Sequence, residues 1–119
     1  MASPEGLARR HRFRGREAFS PVIASGKRLH ASDLTLVSAP SRNSVSRLGV
    51  SIGRRVSSKS TVRNHLKRVV REVFRRHPAK LVGLDLVVLA RPMKGRADPR
   101  LWAKALGELL DRATMVSRS

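Results

Sequence analysis

Apolar residues along this chain follow two rhythms, one helical and one alternating, separated by short polar breaks. Within Glu17–Ser25, Ala18, Phe19, Val22 and Ile23 fall at helical spacing, and Gly26 stands where a helix C-cap glycine belongs. Pro21 fits this helix only near its first turn, because it forfeits a backbone hydrogen bond. Leu34 to Val37, with the residues just before them, read as extended chain ending at Ala39 and Pro40, and PSRNS then forms a turn. In RLGVSIGR, Leu48, Val50 and Ile52 alternate with Gly49, Ser51 and Gly53, which predicts a half-buried strand. VSSKS follows as a loop in which Ser58 or Ser60 can cap the next helix, Thr61–Arg76, which stops before Pro78.

DLVVLAR, Asp85 to Arg91, is a compact β-branched run suited to a buried central strand, and a loop follows through Pro92 to Arg96. Asp98 and Pro99 read as N-cap and first helical residue of a last helix. Its periodicity gathers Leu101, Trp102, Ala105, Leu106, Leu109, Leu110 and Ala113 on one face, with Trp102 a core residue. The order helix, strands, helix, strand, helix predicts an α/β (α+β) two-layer sandwich: a small sheet with about three helices. At 119 residues the chain makes one domain, assigned to 13–115, preceded by a flexible basic arm over 1–12 with little to bury.

Charge changes this picture most. Lys and Arg number 26 against 8 acids, a formal net charge of +18, which repels itself in a compact fold and draws polyanions over long range. The excess sits toward the N-terminus: residues 1–80 carry 19 basic and 4 acidic groups (+15), and residues 81–119 carry 7 and 4 (+3). Arginine forks suit phosphates and base edges, but a GC-rich coding bias produces the same arginine excess, so positions must carry the argument. Without cysteine, disulfides and thiolate metal sites are excluded. No apolar run approaches the roughly 18–20 residues of a membrane span, and the start lacks a secretory apolar centre, so a cytoplasmic protein is expected.

On a helical wheel, Val62, Leu66, Val69, Val70 and Val73 span an arc of roughly 100°, the face expected to pack on the sheet. Arg63, Asn64, Lys67, Arg68, Arg71 and Arg75 occupy the other side, with the cations at 63, 67, 71 and 75 in an i, i+4 row. Like charges at that spacing cost a few tenths of a kcal/mol per pair, so such a row implies an anion to meet it. Glu72 lies at the row's edge as an ion-pair partner for a neighbouring arginine.

Nuclease chemistry in the protein itself lacks support. Metal-dependent cleavage needs clustered carboxylates, and the acids here are scattered. Acid–base cleavage needs convergent histidines, whereas His11, His30, His65 and His77 have no supporting constellation and read as surface or phosphate-contact residues. Nor is there a phosphate-cradling glycine motif.

KSTVRNHLKRVVREVFR resembles the signature helix of the bacterial ribonuclease P protein subunit, which carries an Arg-Asn-Arg core, then Lys-Arg, then Arg-Glu. Arg63, Asn64, Lys67, Arg68, Arg71 and Glu72 stand at matching positions; His65 replaces the usual Arg or Lys, losing a constant charge but keeping a donor. RLGVSIGR, DLVVLAR, the last helix and FRGREAFSPVIASGKRL extend the resemblance over roughly residues 12–113. The resemblance implies a left-handed βαβ crossover. It also implies partnership with a catalytic RNA that removes the 5′ leader of precursor tRNA, with Mg2+ held by RNA rather than by a protein-only site.

Carried over by position, the face toward the catalytic RNA is Arg54, Arg55, Lys59, Arg63, Asn64, His65, Lys67, Arg68 and Arg71. A cleft between the sheet and the first helix would hold the leader against Phe13, Phe19 and Ile23. Ile23 stands where a second aromatic is common and offers apolar contact instead of stacking. Phe19 fits a core ring as well as a cleft ring, and partial exposure would decide. No membrane and no protein partner are implied. The alternatives are a ribosomal or ribosome-associated RNA-binding protein, and a DNA-binding regulator, weakened because no tightly joined helix precedes the basic one.

Overall fold

A computed structural model of the chain describes residue 13 and residues 20–41, 45–90 and 98–118. The 1–12 arm, His11, Phe19, the middle of the PSRNS turn and the loop over 91–97 lie outside the described residues. The elements run α1 (Ser20–Ser25), β1 (Lys27–Ala31), β2 (Leu34–Pro40), β3 (Arg47–Ser51), α2 (Ser60–Arg76), a 3-10 turn (Pro78–Leu81), β4 (Leu84–Ala90) and α3 (Pro99–Arg118). The four strands form one mixed sheet in the order β1-β2-β4-β3. β1 pairs antiparallel with β2 and β2 with β4, while β3 runs parallel to β4 and α2 makes the crossover between them.

The two faces follow from the alternation. Leu34, Leu36, Leu48, Leu86 and Val88 point to one side and pack with Leu66, Val70 and Phe74 of α2 and Trp102, Leu106, Leu109 and Leu110 of α3. On the reverse side Val37 and Val87 meet Val22 of α1, with Phe13, Ile23, Ala39 and Leu89 packed around them. β4 is buried through Val88, as its β-branched run predicts for a central strand.

Three local expectations are revised, and one buried tie had no sequence signal. The extended chain before Leu34 is a separate strand, β1, joined to β2 by a tight turn in which Ser32 takes a left-handed φ of 54°. No Asn-Gly or Gly-Gly pair marks that turn, so its sequence signal is weak. Gly26 ends α1, its N–H reaching the Val22 carbonyl at 2.7 Å, but not through a left-handed cap. A Cβ there would lie 2.6 Å from Val22 O and Val37 Cγ1, so glycine is required by the close approach of helix and strand.

In α3, Asp98 accepts from Arg100 N–H at 2.9 Å as the predicted cap, and Trp102 is buried. Leu101, however, is 56% exposed. Five residues of helix turn it roughly 140° away from Leu106, off the packing face. Lastly, Ser46, which no sequence pattern singled out, is a fully buried tie between chain segments. Its Oγ donates to Ala79 O and accepts from Gly83 N–H (3.1 Å) and Leu84 N–H (2.9 Å), fixing the end of the crossover to the start of β3.

Candidate nucleic-acid interface

The basic helix α2 starts without the serine cap its sequence suggests. Lys59 is the N-cap and makes no side-chain cap bond; the Lys59 N–H instead donates to Ser57 Oγ at 3.2 Å, and Arg63 N–H closes the first turn on Lys59 O. The first turn holds no acid, so the positive end of the helix dipole adds to Lys59 and Arg63 rather than being offset. At the other end His77 leaves the helix in extended conformation. Its Nδ1 accepts from Ala79 N–H at 3.0 Å, which leaves Nε2–H to donate to Asp111 Oδ1 at 2.6 Å. His77 therefore bolts α2 to α3 and is not the surface or phosphate-contact residue expected. His30 bonds Thr35 Oγ1 at 2.9 Å, and His65 is exposed on α2.

The buried arc of α2 consists of Leu66, Val70 and Phe74, flanked by Val62 and Val73. It is turned toward Phe74 relative to the expected arc, leaving Val69 half-buried at the margin. Burying three large side chains contributes on the order of 6 kcal/mol, well above the few tenths per like-charge pair that the cationic side costs. Packing thus holds the helix despite its charge.

This rotation sorts the cations. Asn64, Arg68 and Arg71 are exposed, whereas Arg63 and Lys67 lie half-buried beside the packed face. Arg63 Nη1 donates to Ser57 O at 2.8 Å, tying the helix to its leading loop. Arg54 and Arg55 are exposed in that loop, in a turn closed by Val56 N–H on Gly53 O, and Lys59 is exposed at the helix start. Arg75, expected as the fourth member of the cationic row, instead engages Glu72, which also binds Arg76 Nε at 2.9 Å. The Arg75 hydrogen bond is the main reason the Glu72 carboxyl is held below the usual carboxylate range, and Glu72 in turn raises Arg75. The row is effectively shortened at its C-terminal end.

Where α1, the end of β3 and α2 meet, a half-open cavity of about 260 Å³ is lined by Ser20, Ile23, Val50, Ser51, Ile52, Gly53 and Lys67. It joins Ile23, expected in the leader cleft, to Lys67, expected on the face toward the catalytic RNA. Among the described residues its wall is part hydroxyl, part aliphatic and carries one cation, Lys67, a lining that suits a sugar–phosphate chain better than a purely apolar ligand. The cavity sits at the β3 edge, where Ile23 of the α1 face meets Val50 and Ile52 of the opposite face; Phe13 does not line it but packs on the α1 face with the Val22, Val37 and Val87 cluster.

One constellation was missed by sequence reading. Arg47 Nε and Nη2 donate to Asp85 Oδ1 and Oδ2 at 2.9 and 2.8 Å, and Arg47 Cζ lies 4.5 Å from the Phe13 ring centroid. Hydrogen bonding to Asp85 raises the Arg47 pKa further above its ordinary value. The parallel register of β3 on β4 sets Arg47 opposite Asp85, 38 residues away in sequence, and Phe13 joins them from the α1 face. Among the described residues no group of three or more His, Asp or Glu could hold a metal ion, and no helix is long and apolar enough to cross a membrane.

Comparison with known proteins agrees with this geometry. The family model described as Ribonuclease P matches residues 7–114. The ribonuclease P protein component of Microcystis aeruginosa is 36% identical over 93% of this chain and 97% of its own length, and that of Methylococcus capsulatus is 37% identical over 85% and 79%. The solved structure of the RNase P protein from Thermotoga maritima is 34% identical, with a TM-score of 0.71, covering 85% of this chain and 96% of that one. The Staphylococcus aureus RNase P protein shares the fold at a TM-score of 0.76 and 21% identity, covering 87% and 94%. The chain belongs to the ribonuclease P protein-component family.

Proposed function

We propose that this chain is the non-catalytic protein subunit of a ribonuclease P holoenzyme in which RNA performs the cleavage. Arg54, Arg55, Lys59, Arg63, Asn64, His65, Lys67, Arg68 and Arg71 face the catalytic RNA, and the cavity beside Ile23 receives the 5′ leader of precursor tRNA. The observation that carries this reading is the position of Lys67: one residue of the basic helix also lines the cavity under α1, so two RNA segments converge on one element. The protein's work is electrostatic and positional. Its cations reduce repulsion between the phosphates of the two RNAs, the cavity holds the leader, and Mg2+ stays on RNA oxygens. Binding the leader raises the affinity for precursor over product. The arm over 1–12 adds charge to a single RNA-binding domain over 13–115. The family match leaves a ribosomal role without a supporting observation.

The test adds the purified protein to its cognate catalytic RNA at low magnesium and follows cleavage of precursor tRNA. Stimulation is expected; its absence under every ionic condition refutes the reading. Affinity for the catalytic RNA should fall steeply with salt, each phosphate contact contributing roughly 0.7–0.9 to the logarithmic slope. Arg68→Ala should flatten that slope by about one contact, whereas Arg76→Ala, whose guanidinium binds Glu72, should change it little.

A further inference from the structure

We propose that Arg47 and Asp85 form a positioning pair that sets the leader cleft through Phe13; this rests on the reading that the α1 side of the sheet receives the leader. The pair has the geometry of a fixed support. Asp85 is 7% exposed and stands directly opposite Arg47 in the β3–β4 register, in the row that continues to Ala39 on β2. Two parallel hydrogen bonds, at 2.9 and 2.8 Å, lock the plane of the guanidinium. The Cζ of that group then lies over the Phe13 ring, 4.5 Å from the centroid. Phe13 in turn packs on the cluster of Val22, Val37 and Val87 that also holds Ile23, and Ile23 lines the cavity. Packing therefore runs from Asp85 through Arg47 and Phe13 to the valine cluster, and from that cluster to Ile23 in the wall of the cleft.

The chemistry calls for arginine. A guanidinium can present its edge to a carboxylate and its face to a ring at once; an ammonium cannot do both in fixed geometry. Because its charge is matched by Asp85, Arg47 is assigned to placement and not to phosphate binding.

The test is a double-mutant cycle on the reconstituted holoenzyme, reading the ratio of affinities for precursor tRNA with and without its leader. Arg47→Lys keeps the charge but loses the fork and the guanidinium over the ring; Asp85→Asn keeps the shape but loses the charge. Each is expected to lower the leader-dependent ratio about threefold, with the salt slope of catalytic-RNA binding unchanged. Phe13→Ala should lower the ratio as well, and Arg47→Lys added to it should lower it no further. Thermal melts of the free variants establish that each is folded at the assay temperature. If Phe13→Ala lowers the ratio but Arg47→Lys does not, or if the two effects add, the positioning role is overturned while the leader reading stands. If Phe13→Ala leaves the ratio intact, the leader reading of this face fails and this inference fails with it.

Discussion

Ser46→Ala probes the joint that sets the basic helix against its sheet. Ser46 is fully buried, and its Oγ accepts the N–H groups of Gly83 and Leu84 while donating to Ala79 O. Gly83 takes a φ of 81°, so the chain makes a left-handed turn there that orders both amides toward one oxygen. Removing the hydroxyl costs about 1–3 kcal/mol for the buried Leu84 N–H and roughly half as much for Gly83 N–H, which water can reach. Ala79 O keeps the Val82 N–H at 3.2 Å and adds little. The expected loss is about 3 kcal/mol, a large share of the 5–15 kcal/mol typical of a domain. Urea unfolding followed by far-ultraviolet circular dichroism should show the midpoint falling by about 2 M with an unchanged slope near 1.5 kcal/mol per M. A loss under about 1 kcal/mol would refute the reasoning, because the freed amides would then have found other partners. The folded fraction should keep its salt slope for RNA, since no cation has been touched.

Two further outcomes follow from particular contacts. Gly26→Ala places a Cβ against two backbone oxygens, Val22 O at 2.6 Å and Ser38 O at 2.9 Å, so α1 must shift off β2. A cost of about 2 kcal/mol is expected, seen as a melting temperature lower by roughly 8 °C, and an unchanged melting point would count against the close approach. Glu72 should titrate below its ordinary 4.5, because its hydrogen bond from Arg75 favours the carboxylate. Its folded pKa is the lower one, so its contribution to stability is present above 4.5 and disappears as the pH falls through the folded value. Carboxyl carbon NMR reads that midpoint directly; Arg75→Ala should move it upward, and no movement would show that Arg75 is not the cause.

Much of this protein could be read from local pattern. The α2 and α3 helices, the alternation of Leu48 and Val50, the buried run of β4, the Asp98–Pro99 helix start and the one-sided charge of α2 depend on residues within a few positions of each other. Helical and strand periods register them without knowledge of the fold. The resemblance carried by RNH, Lys67–Arg68 and Arg71–Glu72 is likewise written in one helix. The β1 strand was less legible because its exposed, charged residues give only weak alternation. Leu101 was misplaced because a position next to Trp102 is a full 100° around the helix from it, about a quarter turn.

Other features depend on distance across the chain. Sequence alone determined which side chains of α2 are cationic, but packing decided how the helix is rolled, and the 0% exposure of Phe74 shows where its centre of burial lies. That roll turns Lys67 into the cavity with Ile23, while the Glu72 contacts withdraw Arg75 and Arg76. The Ser46 tie, the Gly26 contact and the Arg47–Asp85–Phe13 support join residues far apart in sequence through strand register and crossover. Local propensity supplies the elements because it acts over a few bonds; the site arises where separate elements meet, and only the tertiary structure decides that meeting.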